Sequence, residues 1–372
     1  MPMDILILEP YFTGSHAAWA KGYQKFSQHR IEILSLSGHS WKWRMHGGAI
    51  SLARQFLARP GPLPDLIIAS DMLDLTTFLA LTRSRSASIP SVVYFHENQL
   101  TYPWSPQDRD VLLQRDIHYG FINYQSALAA NGVYFNSDFH RQEFLGGLTR
   151  LLRAFPDHRE MGNVDTIAAK SQVLPLGLDL ARLDEFCPAP RLSARPLILW
   201  NHRWEYDKNP SEFFQALFQL DQAGADFELV VLGEQYRQVP EIFQTARERL
   251  RERIVHFGYA RDFAAYANWL WQADIAPVTS HQDFFGISVV EAIYCNCLPL
   301  LPDRLAYREH IPAECRSHHF YQSFEQLVSM LGAAIRDIPT KSPGSYRHFV
   351  EKYRWPAMAP IYDAEMEKMI SS

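Results

Sequence analysis

Short apolar runs recur along the chain, each followed by turn residues and then a longer stretch whose apolar positions lie three or four apart. This pattern predicts strands alternating with helices. In the first half the runs are ILILEP from Ile5, IEILSL from Ile31, LIIAS from Leu66, SVVYFH from Ser91, VYFNS from Val133 and QVLPLG from Gln172. In the second they are PLILW from Pro196, FELVVLG from Phe227, IVHFG from Ile254, ADIAPV from Ala273 and CLPLLP from Cys297. Continuous runs of this kind suit parallel strands covered by helices on both faces. The series restarts after a proline-rich break, CPAPRLSARP (Cys187 to Pro196), which reads as a linker. The pattern therefore predicts two doubly wound α/β domains in tandem, 1–186 and 194–349. The closing stretch, YRWPAMAPIYDAEMEKMI, carries a proline-interrupted amphipathic helix, and 350–372 is expected to cross back onto the first domain. Ligands of open parallel sheets bind beyond the carboxyl ends of the strands, so two facing sheets would frame a central substrate cleft.

Composition narrows the class. With 372 residues, 47% of them hydrophobic and 21% charged, the chain is long enough for two cores and too apolar to be disordered. No apolar run approaches the ~20 residues of a membrane span, and MPMDILILEP lacks the basic region and cleavage site of a signal peptide, so a cytoplasmic address is expected. The net charge of −5 argues against a generic, charge-driven nucleic-acid binder. Residues 1–180 balance 16 basic against 16 acidic residues and the remainder carries 20 against 25, so an anionic macromolecule would prefer the first half. Four cysteines (Cys187, Cys295, Cys297, Cys315) are too few for a disulfide framework, and the CxC pair has no second pair to complete a zinc site.

The richest segment for chemistry is HQDFFGISVVEAIYCNCLPLLP, from His281. Asp283 and Glu291 stand eight residues apart around Phe284, Phe285, Gly286 and Ile287. A helix starting near Gly286 would turn its free N–H groups toward a phosphate or sugar oxygen. Read alone, the segment is also an ordinary helix start with an acidic neighbour. In LWNHRWEYDKNP, Arg203 and Lys208 follow the first strand of the second domain, where two cations can clamp a diphosphate and neutralise the charge that develops as it leaves. Two exposed loop cations would look the same.

In the first domain, EPYFTGSHAAW places Gly14, Ser15 and His16 between a strand and a helix, as a phosphate-approaching turn would. His96, Glu97 and Asn98 of FHENQLTYP follow another strand; they form either a polar cluster aimed at ligand or a cap. NSDFHRQEF reads as a capped helix start, and Glu234 of GEQY ends a strand of the second domain. Trp41, Lys42, Trp43 and Arg44, with His46, interleave aromatics and cations, which suits stacking on unpaired bases; a tryptophan pair packed under a loop is the alternative.

DFFGISVVEA resembles the signature of family-four retaining glycosyltransferases, two acids around an FG turn, with Asp283 where a Glu is usual. EAIYCNCLPLL resembles that family's following strand approach, with Asn296 in place of Gly. EPYFTGSH, GHSWKWRMHG, the DML after Ser70, FHENQLTYP, FNSDFHRQEF and NHRWEYDKNP together resemble the tRNA-queuosine α-mannosyltransferases over about residues 1 to 310. The resemblance implies a GT-B fold of two Rossmann-like domains, the first for the acceptor and the second for the nucleotide-sugar donor. It implies mannose transfer from GDP-mannose to queuosine in a tRNA anticodon. His96 would lie beside the donor sugar, Arg203 and Lys208 on the pyrophosphate, and Glu234 near the base and ribose. Gly14, Ser15, Asp283, Phe284, Phe285, Gly286, Ile287 and Glu291 would serve the donor; His16, Trp41, Lys42, Trp43, Arg44, Glu97 and Asn98 the acceptor. With Arg and Lys neutralising charge, neither a metal nor another cofactor is expected, and no stable membrane association. Competing readings are a lipid or polysaccharide acceptor, a sugar-nucleotide epimerase, and a non-catalytic sugar-nucleotide or RNA-binding protein.

Overall fold

A computed structural model describes residues 2–104, 110, 117–189, 193, 195–234, 239–338 and 345–371. The chain forms two compact units, Met1–Leu178 with Tyr353–Ser372, and Asp179–Lys352.

In unit 1, β1 (Asp4–Phe12), β2 (Arg30–Ser37), β3 (Leu66–Ser70), β4 (Ser91–Phe95), β5 (Gly132–Phe135) and β6 (Ser171–Val173) pair in the order β2-β1-β3-β4-β5-β6. Every pairing is parallel, with Ile7 flanked by Ile33 and Ile68 in register. Their side chains are apolar on both faces because helices cover both: on one, Leu6, Leu8, Val93 and Phe135 pack with Leu52, Phe56, Phe78 and Leu148 from the helices Trp41–Ala58, Leu75–Ser86 and Asp138–Arg153, and on the other Tyr94 meets Trp19 and Tyr362 from the helices Gly14–Phe26 and Trp355–Ser371. In unit 2, β7 (Leu197–Trp200), β8 (Glu228–Val231), β9 (Ile254–Phe257), β10 (Ile275–Pro277), β11 (Leu298–Pro302) and β12 (Phe320–Tyr321) take the order β12-β11-β10-β7-β8-β9, again parallel throughout. Its core is aromatic: Trp200 packs on Phe213 and Phe214, and Trp204 stacks on Phe243 with ring centroids 4.2 Å apart.

Both sheets have a point where successive connections run to opposite sides of one strand. In unit 1 it lies between β1 and β3, in unit 2 between β7 and β10. Loops leaving the carboxyl ends of such neighbours diverge and leave a crevice for ligand. The segments after β1, β3, β7 and β10 are thus the ones the topology sets aside for chemistry.

All eleven apolar runs contain strands, though QVLPLG supplies strand only as far as Val173, before Pro175 and its missing donor. β12, two residues long, has no run to announce it. The units divide at Leu178/Asp179 and Lys352/Tyr353, where the sequence pattern set 186, 194 and 349. The cause is local bonding. Leu183 O accepts the Trp271 indole N–H (2.8 Å) and Asp184 accepts the Tyr294 hydroxyl (2.9 Å), which ties 179–186 to unit 2. Of the proline-rich break, residues 190–192 and 194 lie outside the described residues.

The helix Trp355–Ser371, with Pro360 inside it, belongs to unit 1. Trp355 is 1% exposed, and its indole lies where a Cβ on Gly22 or Gly177 would stand, 2.0 Å and 2.4 Å away. Asp363 accepts the Tyr23 hydroxyl (2.9 Å), the Ser27 hydroxyl (2.6 Å) and the Gln28 N–H (3.0 Å).

Candidate functional site

In unit 2 the loop after β7 carries Arg203 and Lys208, and the loop after β10 carries Asp283. Lys208 sits on a single 3-10 turn, Tyr206–Lys208; the next residue, Asn209, takes a left-handed conformation and Pro210 opens the helix Pro210–Gln222. This turn buries the Lys208 ammonium. Nζ donates to Asp283 Oδ1 (2.9 Å) and to the Gln282 carbonyl (2.6 Å), and pairs with Asp207 Oδ2 at 3.1 Å. Burial works against the charge on Lys208, but Asp283 and Asp207 outweigh it and raise its pKa. For Asp283 burial is likewise overcome, by Lys208 first and then His202 and Tyr307, so its carboxyl stays below its usual range. Tyr307 donates its hydroxyl to Asp283 Oδ2.

Gly286 has φ +86°, and a Cβ there would stand 2.9 Å from the Tyr307 ring, so the FG turn requires glycine twice over. The helix Ile287–Tyr294 starts immediately after it, as expected. Phe284 and Phe285 are buried, and the Phe285 carbonyl lies 2.6 Å from His310 Nε2. Asn201 holds the helix start by donating to the Ser288 carbonyl (2.8 Å), and His202, its pKa lowered by burial to about 4, meets the Ser288 hydroxyl through Nδ1 (3.0 Å).

Glu291 lies one turn into that helix and accepts the Tyr266 hydroxyl at 2.6 Å. Burial pushes its carboxyl up to about 7, against the Tyr266 hydrogen bond. The unfolded chain releases this proton near the ordinary glutamate value, so the folded state holds more protons in between and unfolding free energy falls as pH rises toward 7. Glu291→Gln should remove that part of the decline, read from denaturant unfolding between pH 5 and 8.

Arg203 is the exposed cation of the pair, with its guanidinium 3.2 Å from Glu205. Glu234 is exposed, and its carbonyl accepts the Trp204 N–H (3.2 Å); Gln235 and Tyr236 of GEQY lie outside the described residues.

Unit 1 gathers its polar groups at the carboxyl ends of β1, β3 and β4. Gly14, at φ +50°, opens the helix Gly14–Phe26 with Ser15 exposed beside it. His16 points inward, where Nδ1 meets the fully buried Glu9 Oε2 at 3.0 Å. Burial disfavours the imidazolium, yet Glu9, Asp71 and Glu97 hold its pKa up to about 9. The His96 ring lies tilted against the His16 ring, centroids 4.3 Å apart, and edge-on to Trp19 at 4.9 Å, and burial drives its own pKa down. Neither ring nitrogen of His96 has a hydrogen-bond partner among the described residues. Glu9, His16 and His96 offer ligand atoms within 4.8 Å of one another. An imidazolium already paired with Glu9 is a poor metal ligand, because binding would first have to strip its proton.

Four of the acceptor candidates, Asn98, Trp41, Lys42 and Arg44, are engaged within unit 1 itself. Asn98 is fully buried, and its Oδ1 caps a turn by accepting the Leu100 and Thr101 N–H groups (3.1 and 3.0 Å). The Trp41–Arg44 stretch is the first turn of a helix, not a loop. Helical phase sends Trp41 against Trp104 and Tyr119, while Lys42 pairs with Asp110 (2.5 Å) and Arg44 donates to the Ser37 carbonyl (2.9 Å). Trp43 alone of the four projects outward, 65% exposed. Glu97 accepts from the Gln99 side chain at 2.9 Å.

The pattern did not single out Glu9, Asp71, Asp207, His202, Tyr266 or Tyr307. Glu9 and Asp71 had a signal, a charge inside or directly after a fully apolar run. Tyr307 had none, since it arrives from a separate 3-10 segment, Leu305–Glu309.

Residues 4–178 match the tRNA-queuosine alpha-mannosyltransferase N-terminal family, and residues 188–314 match glycosyl transferases group 1. A tRNA-queuosine alpha-mannosyltransferase of Drosophila melanogaster is 35% identical over 318 residues, covering 83% of this chain and 82% of that protein. Among solved structures, a lipopolysaccharide outer core galactosyltransferase superposes with a TM-score of 0.63 at 12% identity, over 98% of this chain and 100% of that one. Sucrose-phosphate synthase from Thermosynechococcus elongatus gives 0.68 at 14%, over 99% of each chain. Identities this low speak for the shared fold of two parallel-sheet units.

Proposed function

The chain belongs to the tRNA-queuosine α-mannosyltransferase family, and from that premise we propose that it transfers mannose from GDP-mannose to queuosine in a tRNA anticodon, in the cytoplasm, with retention at the anomeric carbon and without a metal ion. The observation that carries the donor side is the buried Lys208 ammonium, held by Asp207 and Asp283 close to the start of the helix Ile287–Tyr294. A fixed cation and free helical N–H groups at one sheet's switch point are what a leaving diphosphate needs.

Lys208 keeps its charge whatever the pH in the working range, and its neighbours hold it in one place. It therefore stabilises the developing phosphate charge without reorganising during the reaction. Arg203, exposed and on the same loop, supplies the second cation and closes on the diphosphate when it arrives. Glu291 and Asp283 accept donor hydroxyls, and His96 offers unsatisfied ring nitrogens to a sugar or acceptor hydroxyl. In a retaining transfer the acceptor oxygen attacks the anomeric carbon from the face that the diphosphate leaves, and the departing phosphate oxygen takes the acceptor proton. No protein nucleophile is required, so positioning and charge neutralisation carry the rate. On the RNA side, Trp43 is the aromatic left to stack on an unpaired base.

The test is nucleoside mass spectrometry of queuosine-containing tRNA after incubation with the protein and GDP-mannose, with UDP-sugars in parallel and a chelator in a third arm. A hexose on queuosine with GDP-mannose alone, unaffected by chelator, is expected. Donor turnover without a queuosine adduct would move the acceptor to a lipid or polysaccharide.

A further inference from the structure

At the carboxyl ends of β1, β3 and β4, unit 1 sets three carboxyl groups around one cation among the described residues. Glu9, Asp71 and Glu97 all act on the single imidazolium of His16. Glu9 is satisfied within the fold: one oxygen accepts the Tyr11 N–H (2.8 Å) and the other meets His16. Asp71 is not. It is 1% exposed, it accepts the His96 N–H at 2.9 Å, and no lysine, arginine or histidine forms an ion pair with it among the described residues. Burial pushes its carboxyl up to about 8; His16 opposes this, while Glu97 and Glu9 add to it. Such a group gains most from a cation brought in by a ligand.

A second observation is independent of charge. His96 is 8% exposed, and both of its ring nitrogens are buried without a partner among the described residues, with the ring against His16. A buried imidazole left wholly unsatisfied is costly, and a ligand hydroxyl would relieve it. The place therefore asks for a ligand that carries both a positive charge and hydroxyl groups.

The acceptor of the proposed reaction has that chemistry. Queuosine bears a cyclopentene cis-diol on a secondary amine, which is protonated near neutral pH, and the diol lies within a few bonds of the nitrogen. We infer that Asp71 and Glu97 form an ammonium subsite for this amine, with His96 bonding a hydroxyl of the same side chain. Unit 1 then selects its acceptor nucleoside by charge as well as by shape. The inference rests on the family's acceptor being this chain's acceptor, and it deepens that reading by assigning the residues that recognise it.

The division of labour follows from position. Asp71 directly follows β3 and Glu97 follows β4, adjacent strands of the sheet, so their backbones are fixed by the core beneath. Glu97, partly exposed, stands nearer solvent and meets the incoming cation first; Asp71 holds it once bound. A charge-assisted hydrogen bond in such a site corresponds to at least about tenfold in specificity over a neutral isostere.

Two anticodon stem-loop RNAs decide the matter, one carrying queuosine and one carrying its analogue with an ether oxygen in place of the amine nitrogen, each offered with GDP-mannose to the full chain. The wild type should show kcat/KM at least tenfold higher for the amine. Glu97→Gln and Asp71→Asn should bring the two acceptors to within about threefold of each other, chiefly through KM for the amine. Asp71→Asn keeps the shape of a buried group, and Glu97→Gln, at a half-buried position, carries the test if the first variant melts early. Equal use of both RNAs by the wild type, or a preference unchanged in folded variants, overturns the inference and leaves the proposed function standing. Transfer to neither RNA by the wild type overturns the function and the inference together.

Discussion

Lys208→Ala should lower kcat by about 10²- to 10³-fold, the scale seen when one preorganised charge-stabilising donor is removed from a dry site. The same change should also weaken the fold. It leaves Asp283 without its ammonium and Asp207, 2% exposed, with no hydrogen-bond partner on either carboxylate oxygen among the described residues. Stranding a buried charge costs about 3–5 kcal/mol. The two effects separate in a double variant: Asp207→Asn added to Lys208→Ala should recover much of the lost unfolding free energy and none of the turnover. Steady-state kinetics beside denaturant melts read both. Turnover restored by the double variant, or near-normal in the single one, would remove Lys208 from the diphosphate.

Trp355→Ala is expected to cost unit 1 about 3–5 kcal/mol, the range for deleting a large buried aromatic. The indole lies near-parallel to Tyr23 at 6.1 Å and to Phe26 at 6.5 Å, meets Tyr362 edge-on at 5.5 Å, and fills the space that Gly22 and Gly177 leave open. Two glycines from distant parts of the chain face one side chain, so the neighbours cannot collapse into the void. The loss should appear as an earlier unfolding transition of unit 1, while GDP binding, which the reading above gives to unit 2, survives to the usual denaturant concentration. A single unshifted transition would mean that the closing helix contributes little to the first unit.

Strands were legible because parallel, doubly covered sheets demand unbroken apolar runs, and few other structures do. The loops after β7 and β10 were legible for a related reason: polar clusters directly after such runs have nowhere to go but the sheet's carboxyl edge. What the sequence concealed was phase and distance. Trp41 to Arg44 looked like one aromatic and basic patch, yet a helix turns each side chain about 100° from the last, and three of the four are taken up by Trp104, Asp110 and Ser37. Asn98 looked like a ligand-facing amide, although an asparagine after a strand bonds its own turn as readily. Tyr307 reaches Asp283 across 24 residues with no periodic signal between them. Asp71 stood within a motif taken whole, and only its burial without a cation set it apart.

The way the chain leaves unit 1 and re-enters it has a consequence for synthesis. Leu178 donates to the Tyr353 carbonyl (2.8 Å) and accepts the Trp355 N–H (3.2 Å), so the exit and the return are stitched together at one point. On a ribosome, residues 179–352 emerge complete while the first unit still lacks Trp355, Tyr362 and Asp363, the side chains that fill and bond its flank. The segment made first is thus finished last. Until the helix Trp355–Ser371 has left the exit tunnel, the nascent first unit presents Tyr23, Trp19 and the gap between two glycines to solvent, and it is there that a chaperone would find its purchase.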